Sequence, residues 1–211
     1  MRNLRPAGKL EELTHEMDRY HWNILGLCEM RWKIFGEMST DDSHKVYFSG
    51  EEDGHEYGVV FLVHKDIVSA ALGCRPVSSR LISTRLRTGS FNVTIIQVYA
   101  PTSGHDDNEV DNFYQQLQEV IDQTPKKDIL VVQRDWNAKV GKDVQADWGN
   151  VCGPYYNAEK NERGFRLLEF ATFDNLVLTN TLGHHKPSRK WTWHNPGMKH
   201  HNQIDYILVR K

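Results

Sequence analysis

The chain has 211 residues, 39% hydrophobic and 26% charged, with a formal net charge of -2. That composition allows a sizeable packed core. The near-neutral balance excludes bulk basicity as a route to nucleic acid, so any such surface must be a local patch.

No apolar run approaches the roughly 20 residues of a membrane span. The start, MRNLRPAGKLEELTHEM, lacks the apolar centre of a secretory signal. Cys28, Cys74 and Cys152 are far apart and odd in number, which argues against a disulfide framework and for a reducing, intracellular setting. No repeat, low-complexity tract or linker divides the chain, so a single domain over 1–211 is expected.

Leu10, Leu13, Met17 and Tyr20 recur at helical spacing and predict an amphipathic helix through KLEELTHEMDRYHW. It leads into ILGLCE, an apolar run of strand length closed by Glu29. YGVVFLVHK is continuously apolar, the pattern of a strand buried on both faces. LISTRLRTGSFNVTIIQVYAP predicts a hairpin turning at Thr88-Gly89-Ser90. Val110, Phe113, Leu117 and Ile121 place a second helix in NEVDNFYQQLQEVIDQ, ended by Pro125, and DILVVQRD is the next strand. GFRLLEFATFDN predicts a third helix, followed by strands at LVLTNT, KWTWHN and QIDYILVR. Hairpins and helical crossovers together predict a layered α/β protein with a mixed sheet or paired sheets.

Polar residues fall at the ends of these strands: Glu29, Tyr99, Asp135 with Asn137, and Asp205 between Ile204 and Tyr206. Ligand sites in α/β folds gather beyond strand ends, so groups distant in sequence can converge there. Carboxylates and an amide, without His or Cys at ligand spacing, suit a hard divalent cation such as magnesium. Such an ion offsets charge on phosphate oxygens, while a nearby aspartate accepts a proton from attacking water. Each residue also has a purely structural reading. Glu29 and Asp135 can be turn or cap residues, Tyr99 a core aromatic, and Asp205 a residue on the solvated face of its strand.

The motifs ILGLCEMRW, VVFLV, IIQVYAPT, ILVVQRDWNAKVG, NERGFRLLEF, LTNT, WTWHNP and QIDYILV occur in an order that resembles the endonuclease/exonuclease/phosphatase superfamily, the DNase I-like fold. The likeness extends to the apurinic-type endonuclease domains of LINE retrotransposons and to the craniofacial development protein 2 family, which looks derived from them. It covers essentially the whole chain. It implies a four-layered α/β sandwich whose site hydrolyses phosphodiesters with Mg2+ or Mn2+, acting as a DNA-nicking endonuclease in a nuclear setting.

Carried across residue by residue, the resemblance makes Glu29 the metal-binding glutamate and Tyr99 the tyrosine that contacts the scissile phosphate. Asp135 becomes the carboxylate that activates or positions water, Asn137 the amide that orients phosphate, and Asp205 the aspartate that orients a histidine. Three departures accompany it. The family's opening strand with its metal-site asparagine has no match in MRNLRPAGKL, and Asn3 falls beyond the matching position. No Ser-Asp-His follows QIDYILV, so the sandwich is expected to lack its first and last strands and the activity to be impaired. Arg134 replaces the glycine before the catalytic aspartate, where its guanidinium could pair with Asp135.

HHKPSRKWTWHNPGMKHH gathers Lys186, Arg189, Lys190 and Lys199 around Trp191 and Trp193. Basic groups interleaved with aromatics can grip phosphates and stack on bases, which makes Arg189, Lys190 and Trp193 candidate nucleic-acid contacts. The competing expectation is a strand whose tryptophans fill the core, flanked by solvated charges. His184-His185 and His200-His201 lack the cysteines that usually complete a zinc site. Two function classes therefore stand: a metal-dependent phosphodiesterase acting on DNA rather than on small phosphorylated substrates, and a non-catalytic binding protein that keeps the fold.

Overall fold

The computed structural model describes residues 8–52, 57–141, 144–155, 160–195, 197 and 200–211. The chain divides into two compact units, one formed by residues 1–99 and 120–128 and the other by residues 100–119 and 129–211. Lys199 and Asn3 lie outside the described residues.

The first unit opens with helix α1 (Lys9–Met17), followed by β1 (Ile24–Cys28), β2 (Phe35–Ser39), β3 (Lys45–Ser49) and β4 (Val59–Val63). These four strands form an antiparallel sheet in the order β1-β4-β3-β2. All five residues of β4 are buried, and their alternation shows why. Val60 and Leu62 point to the face where Leu10 and Leu13 of α1 pack with Leu27, Met30 and Val46. Val59, Phe61 and Val63 point the other way, onto Ile82 and Tyr99. A strand covered on both faces needs no polar residue, so the continuous apolar run follows.

The second face is covered by β5 (Ala71–Ser78), β6 (Leu81–Leu86) and β7 (Val93–Tyr99), paired antiparallel in sequence order. The β6–β7 hairpin turns where the Thr88-Gly89-Ser90 segment predicts. Helix α1 is shorter than its periodicity suggests: it stops at Met17 and leaves Tyr20 69% exposed. The chain departs from the helix and Trp22 packs against His44 and His64, with ring centroids 5.0 and 4.9 Å away. Arg85 of β6 grips the buried Asp128 through Nε (2.6 Å) and Nη2 (2.9 Å), and Thr94 donates to the same carboxylate at 2.9 Å.

Helix α2 (Asp107–Gln123) begins in the second unit and ends in the first. The second unit continues with β8 (Ile129–Asp135), the short α3 (Gln145–Trp148), α4 (Glu162–Phe173), β9 (Leu176–Leu178), β10 (Trp193–His194), β11 (His201–Asn202) and β12 (Asp205–Arg210). Strand β12 pairs antiparallel with both β8 and β9, and β10 pairs with β11 in a two-residue ladder. Within the unit α2 faces α4 through Tyr114 and Phe170, whose centroids are 5.0 Å apart, and the Arg163–Asp107 and Arg166–Asp111 pairs. Strand β9 ends at Leu178 because Thr179–Thr181 turns into a 3-10 helix, with Thr181 Oγ1 bonded back to the Leu178 carbonyl at 2.6 Å.

Among the described residues no helix is long and apolar enough to cross a membrane. Among the same residues Cys28, Cys74 and Cys152 form no disulfide.

Candidate active site

In the first unit, β1 delivers its chain to Glu29, which takes a left-handed backbone (φ 60°) immediately beyond the strand. That conformation costs a non-glycine residue roughly 1–2 kcal/mol. It is held by Met30 N–H on the Gly58 carbonyl (3.3 Å) and Arg31 N–H on the Tyr57 carbonyl (3.2 Å). The Glu29 carboxylate, half-buried, accepts a hydrogen bond at Oε1 from the Tyr99 hydroxyl at 3.1 Å. Tyr99 ends β7 and is 7% exposed, so the two residues singled out from separate strand ends are in direct contact.

A third member escaped the sequence reading. Arg80 is buried, with its Cζ 3.8 Å from the centre of the Tyr57 ring and 5.4 Å from that of Tyr99. Its Nη1 donates to the Tyr99 carbonyl at 3.3 Å, and its own carbonyl accepts from the Tyr99 N–H at 2.9 Å. A guanidinium over two aromatic faces in a desolvated setting fixes both rings and adds positive charge beside the Glu29–Tyr99 contact. Nothing in SSRLIST distinguishes Arg80 from an exposed turn residue, because its signal is burial alone.

In the second unit, Asp135 is the last residue of β8, and its Oδ1 accepts the Asn137 N–H at 3.0 Å, closing an Asx turn. Asn137 adopts φ 47° and donates its side-chain Nδ2 to the Ala100 carbonyl at 2.7 Å, while the Ala100 N–H donates to the Asp135 carbonyl at 2.8 Å. Between them Trp136 is fully buried, its indole N–H donating to the Tyr206 carbonyl at 3.1 Å. This tryptophan anchors the turn, with Asp135 and Asn137 half-buried on either side of it in the chain. Asp205 lies at the first position of β12, in register with Asp135 across the β8–β12 pair.

Arg134 answers the question its substitution for glycine raised. It keeps the glycine-favouring backbone, φ 108°, and its Nε lies 3.9 Å from Asp205 Oδ1. The ion pair is therefore with Asp205, where the sequence suggested Asp135.

The proposed nucleic-acid residues also belong to the second unit. Arg189 is exposed at the end of a 3-10 turn, and the Lys190 ammonium sits 5.5 Å from the centre of the Tyr155 ring. Trp191 and Trp193 are both half-buried, so neither fills the core as a strand tryptophan would; Trp191 stacks on His201 at 4.3 Å.

Glu29 and Tyr99 thus meet in one unit, and Asp135, Asn137 and Asp205 gather in the other. Among the described residues no group of three or more His, Cys, Asp or Glu side chains forms an all-protein metal cage. Mg2+ does not require one: it is commonly held by one or two carboxylates, with water and substrate phosphate completing the shell. The half-buried Glu29 carboxylate, engaged by a neutral hydroxyl, fits that habit.

Comparison with known proteins bears on the fold. No protein-family model matches the chain. Craniofacial development protein 2 of Bos taurus is 39% identical over all 211 residues, and the chain spans 35% of that relative's length. The endonuclease domain of TRAS1, a telomere-specific non-LTR retrotransposon, superposes with a TM-score of 0.63 at 15% identity, covering 99% of this chain and 83% of that one. An endonuclease/exonuclease/phosphatase family protein from Leptotrichia buccalis gives a TM-score of 0.55 at 13% identity, covering 99% and 84%. The chain has the endonuclease/exonuclease/phosphatase fold. In that fold's terms the α/β, DNase I-like reading of the motifs is correct. In chain order the sequence motifs fall on β1, β4, β7, β8, α4, the end of β9 with the 3-10 turn that follows it, β10 and β12.

Proposed function

We propose that this endonuclease/exonuclease/phosphatase fold hydrolyses phosphodiester bonds in DNA as a divalent-metal-dependent nicking endonuclease. The observation that carries the proposal is the Asp135–Asn137 turn: a carboxylate and an amide are held two residues apart by a buried tryptophan, at the positions where the resemblance requires them. The likeness to the endonuclease domain of a telomere-specific non-LTR retrotransposon supports a nuclease reading.

In this reading Asp135 accepts a proton from the attacking water. The hydrogen bond from the Asn137 N–H fixes the orientation of this carboxylate for that step. Asn137 commits its Nδ2 to the Ala100 carbonyl, which fixes the amide plane; an amide nitrogen carries two donors, and the second serves a phosphate oxygen. The Tyr99 hydroxyl, on Glu29 without substrate, turns its hydrogen to a phosphate oxygen when one arrives. Arg80 holds the Tyr99 ring in place. Glu29 would hold Mg2+ or Mn2+, which when bound would stabilise charge on the phosphate and leaving oxygen. Asp205, tied to Arg134, serves as a supporting carboxylate, and Arg189, Lys190 and Trp193 contact the nucleic acid beside the break. A nuclear location follows from the same reading.

The test is relaxation of supercoiled plasmid by purified protein with Mg2+, beside lanes with EDTA, Asp135→Ala and Glu29→Gln. Nicking that disappears with EDTA and falls by several orders of magnitude in Asp135→Ala supports the assignment. Cleavage undiminished in that variant overturns it. Absence of cleavage by a chain that circular dichroism shows folded favours a non-catalytic binding protein instead.

A further inference from the structure

The hairpin β10–β11 carries two histidines directly opposite one another, His194 and His201, as register partners. Their Nδ1 atoms are 2.5 Å apart and the rings cross edge to face, with centroids 4.6 Å apart at 79°. Two ring nitrogens this close cannot both carry hydrogen, so one donates to the other, and with hydrogen on Nε2 instead each would offer an Nδ1 lone pair. Both rings are held from behind. Trp191 stacks on His201 at 4.3 Å and 19°, and meets His194 edge-on at 6.4 Å. The ladder is braced by Thr192 N–H on the Asn202 carbonyl (2.9 Å) and Asn195 N–H on the His200 carbonyl (3.1 Å). Thr192 Oγ1 also accepts from the backbone of Ile204 and Asp205, which ties the hairpin to β12.

We propose that His194 and His201 form a binding site for an imidazole-preferring divalent transition cation, Zn2+, Cu2+ or Ni2+, separate from the carboxylate groups above. Bonds of about 2.0–2.1 Å to each nitrogen in a tetrahedral shell put the two nitrogens about 3.3 Å apart. Small rotations of two side chains, one exposed and one half-buried, supply that opening. To bind, both rings take the neutral tautomer: the donor ring's hydrogen moves from Nδ1 to Nε2 by way of solvent, the two Nδ1 lone pairs meet the cation, and water completes the shell. Neutral imidazole suits Zn2+, Cu2+ and Ni2+, whereas Mg2+ prefers oxygen ligands. Bound there, the ion clips β10 to β11 and stiffens the segment that carries Trp193. The adjacent histidine pairs of the sequence are not the pairing: His201 meets His194 across the ladder.

Titration calorimetry of the whole chain with Zn2+, in a large excess of Mg2+, is the test. Wild type is expected to bind one ion that Mg2+ does not displace. His194→Gln and His201→Gln are each expected to weaken binding tenfold or more, since loss of an outer-shell partner alone costs about 10–100-fold. His184→Gln with His185→Gln should change nothing. Independently of any variant, Cu2+ bound to wild type should show electron-paramagnetic coupling to two imidazole nitrogens. Undiminished Zn2+ affinity in His194→Gln, displacement by Mg2+, or coupling to fewer than two nitrogens overturns the proposal. None of these readouts depends on DNA cleavage, so the site stands or falls apart from the nuclease reading.

Discussion

At the level of single residues, the candidate site was read from the chain where a polar group ends an apolar strand, and missed where burial alone marks it. Glu29, Tyr99, Asp135 and Asn137 interrupt apolar runs, so their position is visible in the order of residue types. Arg80 sits in a polar turn, and only its enclosure by Tyr57 and Tyr99 shows its role. Arg134 is the residue where local chemistry and backbone disagree most. Its φ of 108° carries roughly 1–3 kcal/mol of strain. Its pair with Asp205, at 3.9 Å between partly exposed side chains, returns at most about 1 kcal/mol. Glycine relieves the strain but loses about 0.5–1 kcal/mol to unfolded-state entropy. Arg134→Gly is therefore expected to stabilise by about 0.5–1 kcal/mol, and Arg134→Ala, which keeps the strain and loses the ion pair, to destabilise by about as much. Urea midpoints decide: equal losses in both variants would mean that the guanidinium, not the backbone, dominates.

Among elements, legibility followed burial pattern. β4 and β7 show as apolar runs because the core covers them, whereas β2 (FGEMS) and β5 (ALGCRPVS) give no such signal. β2 is a sheet edge with four of its five residues exposed, and β5 accommodates Gly73 and Pro76 through irregular register, as edge strands can. The motif NERG shows how an element supports the site. Asn161 caps α4 by accepting the Gly164 N–H (2.9 Å), and the same Oδ1 accepts the Lys139 N–H (2.8 Å). A Cβ on Gly164 would lie 1.9 Å from the Lys139 carbonyl oxygen, and a backbone atom cannot rotate aside. Helix and loop are therefore pressed together two residues beyond Asn137. Gly164→Ala is expected to cost about 3 kcal/mol, the upper part of the overpacking range. Asn161→Ala should cost about 1 kcal/mol or somewhat more, since one side chain serves both helix and loop. Thermal unfolding of the two variants measures the order; a Gly164→Ala protein as stable as wild type would sink the close-approach account.

For the molecule as a whole, a net charge of -2 leaves stability to a few desolvated groups rather than to overall repulsion. Two of them set how acid acts, and both lie in the first unit. His44 is almost wholly buried; desolvation, then the neighbouring His64 and Lys65, hold its imidazole below the ordinary value. An unfolded imidazole takes its proton near pH 6.5. Below about that pH the unfolded chain therefore binds the proton that folded His44 refuses, and stability begins to fall. Asp128 acts lower on the scale. The Arg85 hydrogen bonds, opposed by burial and aided by Thr94, keep its carboxyl below the ordinary carboxylate value. Its contribution is complete above the unfolded value near 3.9 and is lost as pH falls through the folded one. Two successive losses are thus expected, one starting near pH 6.5 and one near pH 4. His44→Asn keeps an acceptor for the Lys65 N–H, which His44 Nδ1 now serves at 3.1 Å, while removing the titration; it should flatten the upper loss. Asp128→Asn should lower stability at neutral pH and flatten the lower loss. Urea unfolding across pH, followed by amide exchange, checks both. Protection should drop first in residues 24–99, where both groups act, and an upper slope unchanged in His44→Asn would assign that loss to another histidine.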